Sequence, residues 1–151
     1  MGQSARIWVD ADACPKALRE IILKAAKRVA IKAIFVANHN LGIPITSYSA
    51  FVQVSSGFDV ADDYIAEQIS AGDLLISNDI PLADQAITAG ALVINMRGEE
   101  LTQANIKSRL NLRDFMDTMR SSGVQTGGPP PLSQRDRANF ANALDRFLTR
   151  L

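Results

Sequence analysis

Aspartates recur in this sequence at the points where apolar runs end and helical segments begin. The six in such places are Asp10, Asp12, Asp59, Asp62, Asp63 and Asp79. Carboxylates gathered at one place repel each other and raise each other's pKa values unless a cation lies between them. Mg²⁺ and Mn²⁺ are hard cations that prefer oxygen ligands, so they suit such a site. We therefore predict a divalent-metal site whose metal ligands and catalytic residues are the same four: Asp10, Asp12, Asp62 and Asp79.

Three of these aspartates also have a structural explanation. Asp is a favoured capping residue, so Asp12 can cap the helix that begins near Pro15, and Asp59 can cap the helix that it precedes. Asp79 can begin a turn, because Asn-Asp before Ile-Pro is common turn chemistry. The residue pattern leaves these alternatives open beside the metal-ligand interpretation.

The helical segment at residues 59–70 separates two neighbouring aspartates. Ala61 and Ile65 mark its buried face, Asp62 lies at the border of that face, and Asp63 points away from it. Asp62 is therefore the better ligand. Further residues that we expect in the second shell of the site are Asp59, Asp63, Asp84 and His39.

Other catalytic chemistries have weaker support. Cys14 lies near a helix N-terminus, which can lower the pKa of a thiol, but His39 is the one histidine available to activate it. A structural zinc site needs more Cys and His residues than this sequence contains. We therefore predict no structural zinc site, and we disfavour a cysteine nucleophile.

The elements that must position the aspartates follow an alternating pattern. Short apolar runs typical of strands occupy residues 6–11, 31–38, 51–56, 74–79 and 91–96. Segments of helical period begin at Pro15 and occupy residues 59–70, 81–89, 102–122 and 133–150. This alternation predicts an α/β fold, a three-layer sandwich with a largely parallel central sheet. Ligand sites in such sheets gather beyond the carboxyl ends of the strands, where these aspartates are expected.

Length and composition limit the class of protein. The 151 residues are 47% hydrophobic, and Lys plus Arg balance Asp plus Glu to a formal net charge of zero. We predict a single domain over residues 1–151, with a Gly/Pro-rich connector at 123–132 and a C-terminal helix at 133–150. The sequence begins with no secretory signal pattern, contains a single cysteine and has no apolar run of roughly 18 residues, so we expect a cytoplasmic protein without membrane spans. No feature of the sequence predicts its oligomeric state.

Arginines on the predicted helix 102–122 could contact a phosphate backbone. Arg109, Arg113 and Arg120 fall within about 40° on a helical wheel, and Arg97 follows the last predicted strand. These four are the candidate phosphate-binding residues, and RNA or another nucleic acid is the partner they favour. The alternative is a solvated helix face, because Asp114 and Asp117 lie close by.

Several segments together resemble one bacterial protein family. "VDADACP", "GFDVADDYI", "LLISNDIPLADQAI" and "NMRGEELTQANIKSRL", followed by a Gly-Pro connector, resemble the uncharacterised YaiI/YqxD family over nearly the whole chain. That family is similar in turn to PIN-domain metal-dependent nucleases. The PIN patterns are an Asp that ends the first strand, a D-x-x-I on a central helix and a T/S-x-D after a later strand, and they match Asp10, Asp62 and Asp79. The resemblance implies a PIN-like fold and a nuclease that uses Mg²⁺ or Mn²⁺.

The sequence departs from the PIN pattern in one respect. Nuclease PIN domains usually carry another acid on a helix in the first half, and no Asp or Glu occurs here between Glu20 and Asp59. Asp12 is the candidate replacement. If it does not replace that acid, the site would bind metal weakly or catalyse nothing.

The sequence is compatible with two other functions. The strand followed by D-x-D resembles the first motif of haloacid dehalogenase-type phosphatases, in which Asp10 would be the phosphoryl acceptor. The second is a module that binds nucleic acid or protein, and keeps the acidic residues but catalyses no reaction. We predict first a metal-dependent nuclease that hydrolyses phosphodiesters, with RNA favoured.

Overall fold

A six-stranded sheet forms the centre of the computed structural model, which describes residues 5–57, 59–109 and 132–150. The strands are β1 (Ile7–Asp10), β2 (Ala33–Ala37), β3 (Ser49–Gln53), β4 (Leu74–Ile76), β5 (Leu92–Ile94) and β6 (Glu100–Leu101). They are ordered β3-β2-β1-β4-β5-β6. Strands β1 to β5 are parallel, and β6 pairs antiparallel with β5. The predicted largely parallel sheet is confirmed.

Helices cover both faces of this sheet. They are α1 (Lys16–Val29), α2 (Val60–Gln68), α3 (Ile80–Thr88), α4 (helical residues 103–109) and α5 (Gln134–Arg150). On one face Leu18 of α1 and Phe140 of α5 pack in one core with Val9. On the other face Ile65 of α2 packs in a second core with Trp8, together with residues of α3 and α4. Two cores on one sheet confirm the predicted three-layer α/β sandwich.

Alternation along β1 decides which face each side chain joins. Ile7 and Val9 enter the core under α1 and α5, whereas Trp8 enters the core under α2 and α3. Because both faces are covered, β1 reads in the sequence as a continuous apolar run. Asp10 comes two residues after Trp8, so its side chain is on the α2 side of the sheet.

The observed element boundaries differ from the predicted ones at the ends that matter for the site. Strand β4 ends at Ile76, so residues 77–79 form a loop rather than the end of a strand. The short strand β6 was not predicted, because only two residues pair with β5 after a tight turn. Within the predicted helix 102–122 the structure describes residues up to 109, and most of the predicted connector 123–132 lies outside the described residues. The predicted C-terminal helix is found as α5.

None of the helices in the described ranges is long and apolar enough to cross a membrane.

The order of the strands reverses between β1 and β4. β2 and β3 lie on one side of β1, and β4 and β5 lie on the other. Ligands of open parallel sheets bind beyond the carboxyl ends of the strands at such a switch point. Asp10 ends β1, residues 77–79 follow β4, and α2 packs on this side of β1. The fold therefore brings together most of the aspartates on which the functional prediction depends.

Candidate functional site

Asp10 lies at the centre of the site, at the end of β1. Its side chain is buried, and its Oδ2 accepts a hydrogen bond from the Ser77 hydroxyl at 3.0 Å. The Ser77 oxygen in turn accepts a hydrogen bond from the backbone N–H of Asp79 at 2.9 Å. Burial raises the pKa of Asp10, the Ser77 hydrogen bond opposes that rise, and the charges of Asp79 and Asp12 add to it. Ser77 therefore connects the ends of β1 and β4 and holds one carboxylate of the site.

Asp79 occupies the N-cap position of α3. Its Oδ1 accepts a hydrogen bond from the backbone N–H of Leu82 at 2.9 Å, and Pro81 lies in the first turn of the helix. Asp79 therefore has a structural role, but as the cap of α3 and not as the first residue of a turn. A cap uses one carboxylate oxygen and leaves the other for a further contact. The cap thus fixes the position of Asp79 without excluding a second role.

Asp62 of α2 is half-buried and faces Asp79. Burial is the largest of the causes that raise the pKa of Asp62 to about 7, followed by the charges of Asp79 and Asp10, a hydrogen bond between the Asp62 and Asp79 carboxyls, and the charge of Asp59. Burial and the neighbouring acids thus favour the protonated form of Asp62. Asp63, the next residue, is exposed. The structure thus places Asp62, rather than Asp63, against the other acids.

Two cavities adjoin these acids. The larger one, of about 270 Å³, is lined by Asp59, Asp62, Asp63, Asp79, Pro81, Leu82 and Gln85. The smaller one, of about 140 Å³, is lined by Asp10, Asp12, Asn38, Ser55, Gly57, Asp59, Val60, Ala61 and Asp62. Asp59 and Asp62 line both cavities, so α2 separates two acid-lined spaces at the carboxyl edge of the sheet.

Asp12 points to the loop that follows β2. Its Oδ2 accepts a hydrogen bond from the backbone N–H of Asn38 at 2.9 Å, and its Oδ1 lies 3.0 Å from Nδ1 of His39. The alternative that Asp12 caps the first helix is wrong. Residues Ala11–Ala13 form a 3-10 turn, and Pro15 occupies the N-cap position of α1 without a side-chain cap. Asp12 therefore joins the ends of β1 and β2.

The donor set suits a metal ion held by a carboxylate pair and water better than one held by four carboxylates. In the described part of the chain, no three or more His, Cys, Asp or Glu side chains are arranged to hold one ion. Asp62 and Asp79 nevertheless meet within hydrogen-bond reach. Mg²⁺ usually keeps several water ligands and is often bound through one or two carboxylates. The pair fits that chemistry, whereas a ligand role for Asp12 stays a prediction that its contacts do not favour.

The remaining second-shell candidates occupy different surroundings. Asp59 takes the N-cap position of α2 in a left-handed conformation (φ 63°), and its side chain makes no capping hydrogen bond. Asp59 and Asp63 both line the larger cavity. Asp84 lies on α3 and lines neither of the two cavities. His39 contacts Asp12, which lines the smaller cavity, but His39 itself lines neither cavity.

The two candidate phosphate-binding arginines that the structure describes are in ion pairs. Arg97 Nη1 lies 2.5 Å from Oδ2 of Asp136 on α5, and Arg109 Nη2 lies 2.7 Å from Oε2 of Glu99. The hydrogen bond from Arg109 is the largest of the causes that lower the pKa of Glu99. Arg113 and Arg120 lie outside the described residues. A substrate phosphate would therefore compete with carboxylates for Arg97 and Arg109.

Cys14 belongs to the core beneath α1. Its side chain is buried, and its Sγ donates a weak hydrogen bond to the Pro15 carbonyl at 3.8 Å. Burial raises the pKa of the Cys14 thiol to about 12 despite the opposing charge of Arg19. His39 pairs with Asp12 instead. A thiolate nucleophile is therefore disfavoured, as the sequence predicted.

We expect Cys14→Ser to leave any hydrolytic activity within about twofold of the wild-type rate. The same variant should lose about 1 kcal/mol of stability, because it places a hydroxyl in an apolar core. Cys14→Ala, which brings no hydroxyl, is the matched control for stability. Chemical denaturation and a rate assay on the three proteins test this, and loss of activity with an intact fold would point back to cysteine chemistry.

Sequence reasoning did not select Ser77 and Asn38 as site residues. Ser77 was visible as the first residue of the T/S-x-D pattern that ends at Asp79, but the pattern does not reveal its bond to Asp10. Asn38 contributes a backbone N–H, which has no side-chain signal. Asp73 was not among the predicted site residues; it is the first acid of "AGDLLISND", a segment that could imitate the metal-binding acids of the phosphatase alternative. It is buried before β4 and accepts hydrogen bonds from the Trp8 indole and from two backbone N–H groups, so its role is structural.

Comparison with known proteins places these residues in a family. A sequence profile of the YaiI/YqxD family, described as uncharacterised, matches residues 8–150. The chain is 60% identical over 144 residues to a UPF0178 protein of Colwellia psychrerythraea, covering 95% of each chain. It is 58% identical over 144 residues to one of Hydrogenovibrio crunogenus, covering 95% of each, and 57% identical over 145 residues to one of Photobacterium profundum, covering 96% of this chain and 97% of the relative. No solved structure matches the chain. With matches over nearly its whole length, the chain belongs to the uncharacterised bacterial YaiI/YqxD family.

Proposed function

We propose that this protein is a divalent-metal-dependent nuclease that hydrolyses phosphodiester bonds, with RNA as the favoured substrate. The observation that carries the proposal is the meeting of Asp10, Asp62 and Asp79 at the point where the strand order reverses. The raised pKa values of Asp10 and Asp62 agree with it, since burial and, after it, the charges of the neighbouring aspartates disfavour the ionised forms in the absence of a cation. The resemblance of the same three positions to PIN-domain patterns supports the same chemistry.

Asp62 and Asp79 would hold Mg²⁺ or Mn²⁺, with Asp10 as the third carboxylate of the site. When bound, such an ion lowers the pKa of water and stabilises negative charge on a phosphate oxygen. The protein keeps the carboxylates in place beforehand. Ser77 fixes Asp10 by a side-chain hydrogen bond, and the helix cap fixes Asp79. This rigidity matters because a small displacement of a catalytic group costs a large part of the rate.

The acidic cavities also predict that activity depends strictly on metal. A phosphodiester is an anion, and the larger cavity is lined by four aspartates. Like charges repel more strongly in a partly buried site than in bulk water, so the metal-free protein should not accept the substrate there. A cation reverses this by neutralising the carboxylates.

The direct test is cleavage of 5′-labelled single-stranded and structured RNA by highly purified protein, with Mn²⁺ and with chelator. We expect cleavage when Mn²⁺ is present and none when chelator is added. The cleavage rate should decrease by at least about 100-fold in Asp10→Asn and in Asp79→Asn. Glu67→Gln is the matched control, because it removes one acidic charge from the exposed side of α2 and should keep the wild-type rate.

Each other result would favour a different function. Cleavage that survives Asp10→Asn would indicate a contaminating nuclease. Release of phosphate from a small ester, with an acyl-phosphate trapped on Asp10, would indicate a phosphatase. Retention of RNA on a filter without cleavage of RNA or DNA would indicate a binding module and would overturn the proposal.

A further inference from the structure

Strand β3 forms one edge of the sheet, and part of its backbone faces away from every other strand. At its two ends, the Tyr48 carbonyl and the Val54 N–H bond β2 at 3.0 Å and 2.9 Å. A strand in a parallel ladder bonds one neighbour through alternate residues, so Phe51 and Gln53 direct their N–H and C=O groups outward. In the described part of the chain, no group bonds these outward groups.

The sequence of this edge lacks the features that usually discourage strand pairing. Natural proteins protect an edge with charged side chains, with proline or with a very short strand. The opposite edge, β6, follows that rule, because it has two residues and one of them is the exposed Glu100. Strand β3 has five residues, and no Asp, Glu, Lys or Arg occurs in residues 33–58. The edge of β3 is therefore open to a further strand.

Ile45 adds an exposed apolar side chain beside the same edge. It is 70% exposed, more than any other large hydrophobic residue that the structure describes. The loop that carries it is fixed to the start of β3, since the Ser49 hydroxyl donates a hydrogen bond to the Pro44 carbonyl at 2.6 Å. The Thr46 N–H also donates to the Ser49 carbonyl at 3.1 Å. Thr46 thus occupies the edge at Ser49, and the free part begins at Ala50.

The two ends of β3 lie beside opposite charges. At its amino end, Lys24 and Lys27 line a cavity together with Ser49. Beyond its carboxyl end, Asp59 lines the smaller acid-lined cavity together with Ser55. An antiparallel copy of the strand brings the lysines of one chain toward the aspartate of the other, whereas a parallel copy brings like charges together. A nucleic acid would need cations along the edge itself, where the strand has none.

We propose that this protein forms a dimer in which the free edge of β3 pairs antiparallel with the same edge of a second copy. The free stretch runs from Ala50 to Val54, so the twofold axis passes at Val52, and Phe51 of each copy lies opposite Gln53 of the other. Their outward N–H and C=O groups then bond in pairs, and two six-stranded sheets become one. A twofold contact sets one surface against itself, so it suits an uncharged strand. This inference does not depend on the proposed function.

The test measures the monomer–dimer equilibrium by sedimentation, from micromolar to millimolar protein. We expect a dimer whose Kd rises by at least about tenfold in Gln53→Pro, because proline removes an outward N–H from each copy. Gln53→Ala is the matched control, since it removes the same exposed side chain, keeps the N–H and should keep the wild-type Kd. Ile45→Lys leaves β3 intact and places a charge beside the edge, so it should raise the Kd by about threefold or more. An unchanged Kd in a folded Gln53→Pro variant would overturn the inference.

Amide hydrogen exchange followed by NMR tests the same contact in the wild-type protein. The amides of Val52 and Val54 bond β2 and should be protected at every concentration. Those of Phe51 and Gln53 should exchange rapidly in the monomer and become protected as the dimer forms. A monomer at all concentrations would overturn the inference, and so would a dimer in which Phe51 and Gln53 stay unprotected. A protein that dimerises through β3 but cuts no RNA or DNA would overturn the proposed function alone.

Discussion

Replacing Gly98 by alanine is expected to lower the free energy of unfolding by about 2–4 kcal/mol. Gly98 lies in the turn between β5 and β6 with φ at +85°, where a side chain is strained. A Cβ there would also lie 2.6 Å from the backbone oxygen of Asn139 and 2.9 Å from the backbone nitrogen of Phe140. Both atoms belong to the backbone of α5, which cannot move aside as a side chain can. For a chain of this length the loss corresponds to a decrease in Tm of roughly 5–15 °C.

Gly42→Ala separates the two causes of the stability loss expected in Gly98→Ala, which are backbone strain at a positive φ and the clash of Cβ with α5. Gly42 also has a positive φ, +69°, but a Cβ there would meet no atom within 4 Å. Gly42→Ala should therefore lower the free energy of unfolding only through the backbone strain at a positive φ, by about 1 kcal/mol. Thermal and urea unfolding of the two variants give the comparison. If Gly98→Ala were no less stable than Gly42→Ala, α5 would not pack against this turn as described.

The fold could be predicted from the sequence because its signals are local. The apolar runs of β1, β2 and β4 and the helical periods of α1 and α5 each depend on residues close together in the chain. The strand β6 has no such local signal. Its two residues pair with β5 only because a turn closed by Asn95 brings them back to that strand. The Asn95 backbone and side chain bond Arg97, Gly98 and Glu99 within five residues. Such a turn is recognisable only when the hydrogen bonds are known.

The site could be predicted only in part, because its contacts are remote in sequence. Asp10 and Ser77 are 67 positions apart, and Asp12 and Asn38 are 26 apart. The general rule for parallel sheets places their strand ends at one edge, and it correctly brought Asp10, Asp62 and Asp79 together. It does not say which side chain points to which neighbour. For this reason the rule placed Asp12 among the predicted metal ligands. In the structure, both of its carboxylate oxygens contact the β2–β3 loop.

The acid pair at the centre of the site predicts a stability that falls as the pH rises. The pKa of Asp62 is raised to about 7 in the folded protein, above its ordinary value of 3.8. Between these two values the unfolded chain loses the proton while the folded protein keeps it, so the free energy of unfolding of the metal-free protein decreases with pH. Above pH 7 the deficit is constant. Because Asp62 is only half-buried, solvent screening reduces the deficit to about 1 kcal/mol.

Asp62→Asn should therefore stabilise the metal-free protein by about 1 kcal/mol at pH 8 and change little at pH 4. Mn²⁺ must displace the proton that Asp62 holds below about pH 7, so its stabilising effect should be small at pH 5.5 and large at pH 8. At 100 times the Kd, mass action gives about 2.7 kcal/mol, a rise in Tm of roughly 5–10 °C, which Asp62→Asn should abolish. Asp63→Asn makes the same chemical change one residue away, on an exposed side chain, and should keep most of the Mn²⁺ effect. Equal melting curves with and without millimolar Mn²⁺ at pH 8 would show that the acid pair binds no metal, and would remove the basis of metal-dependent cleavage.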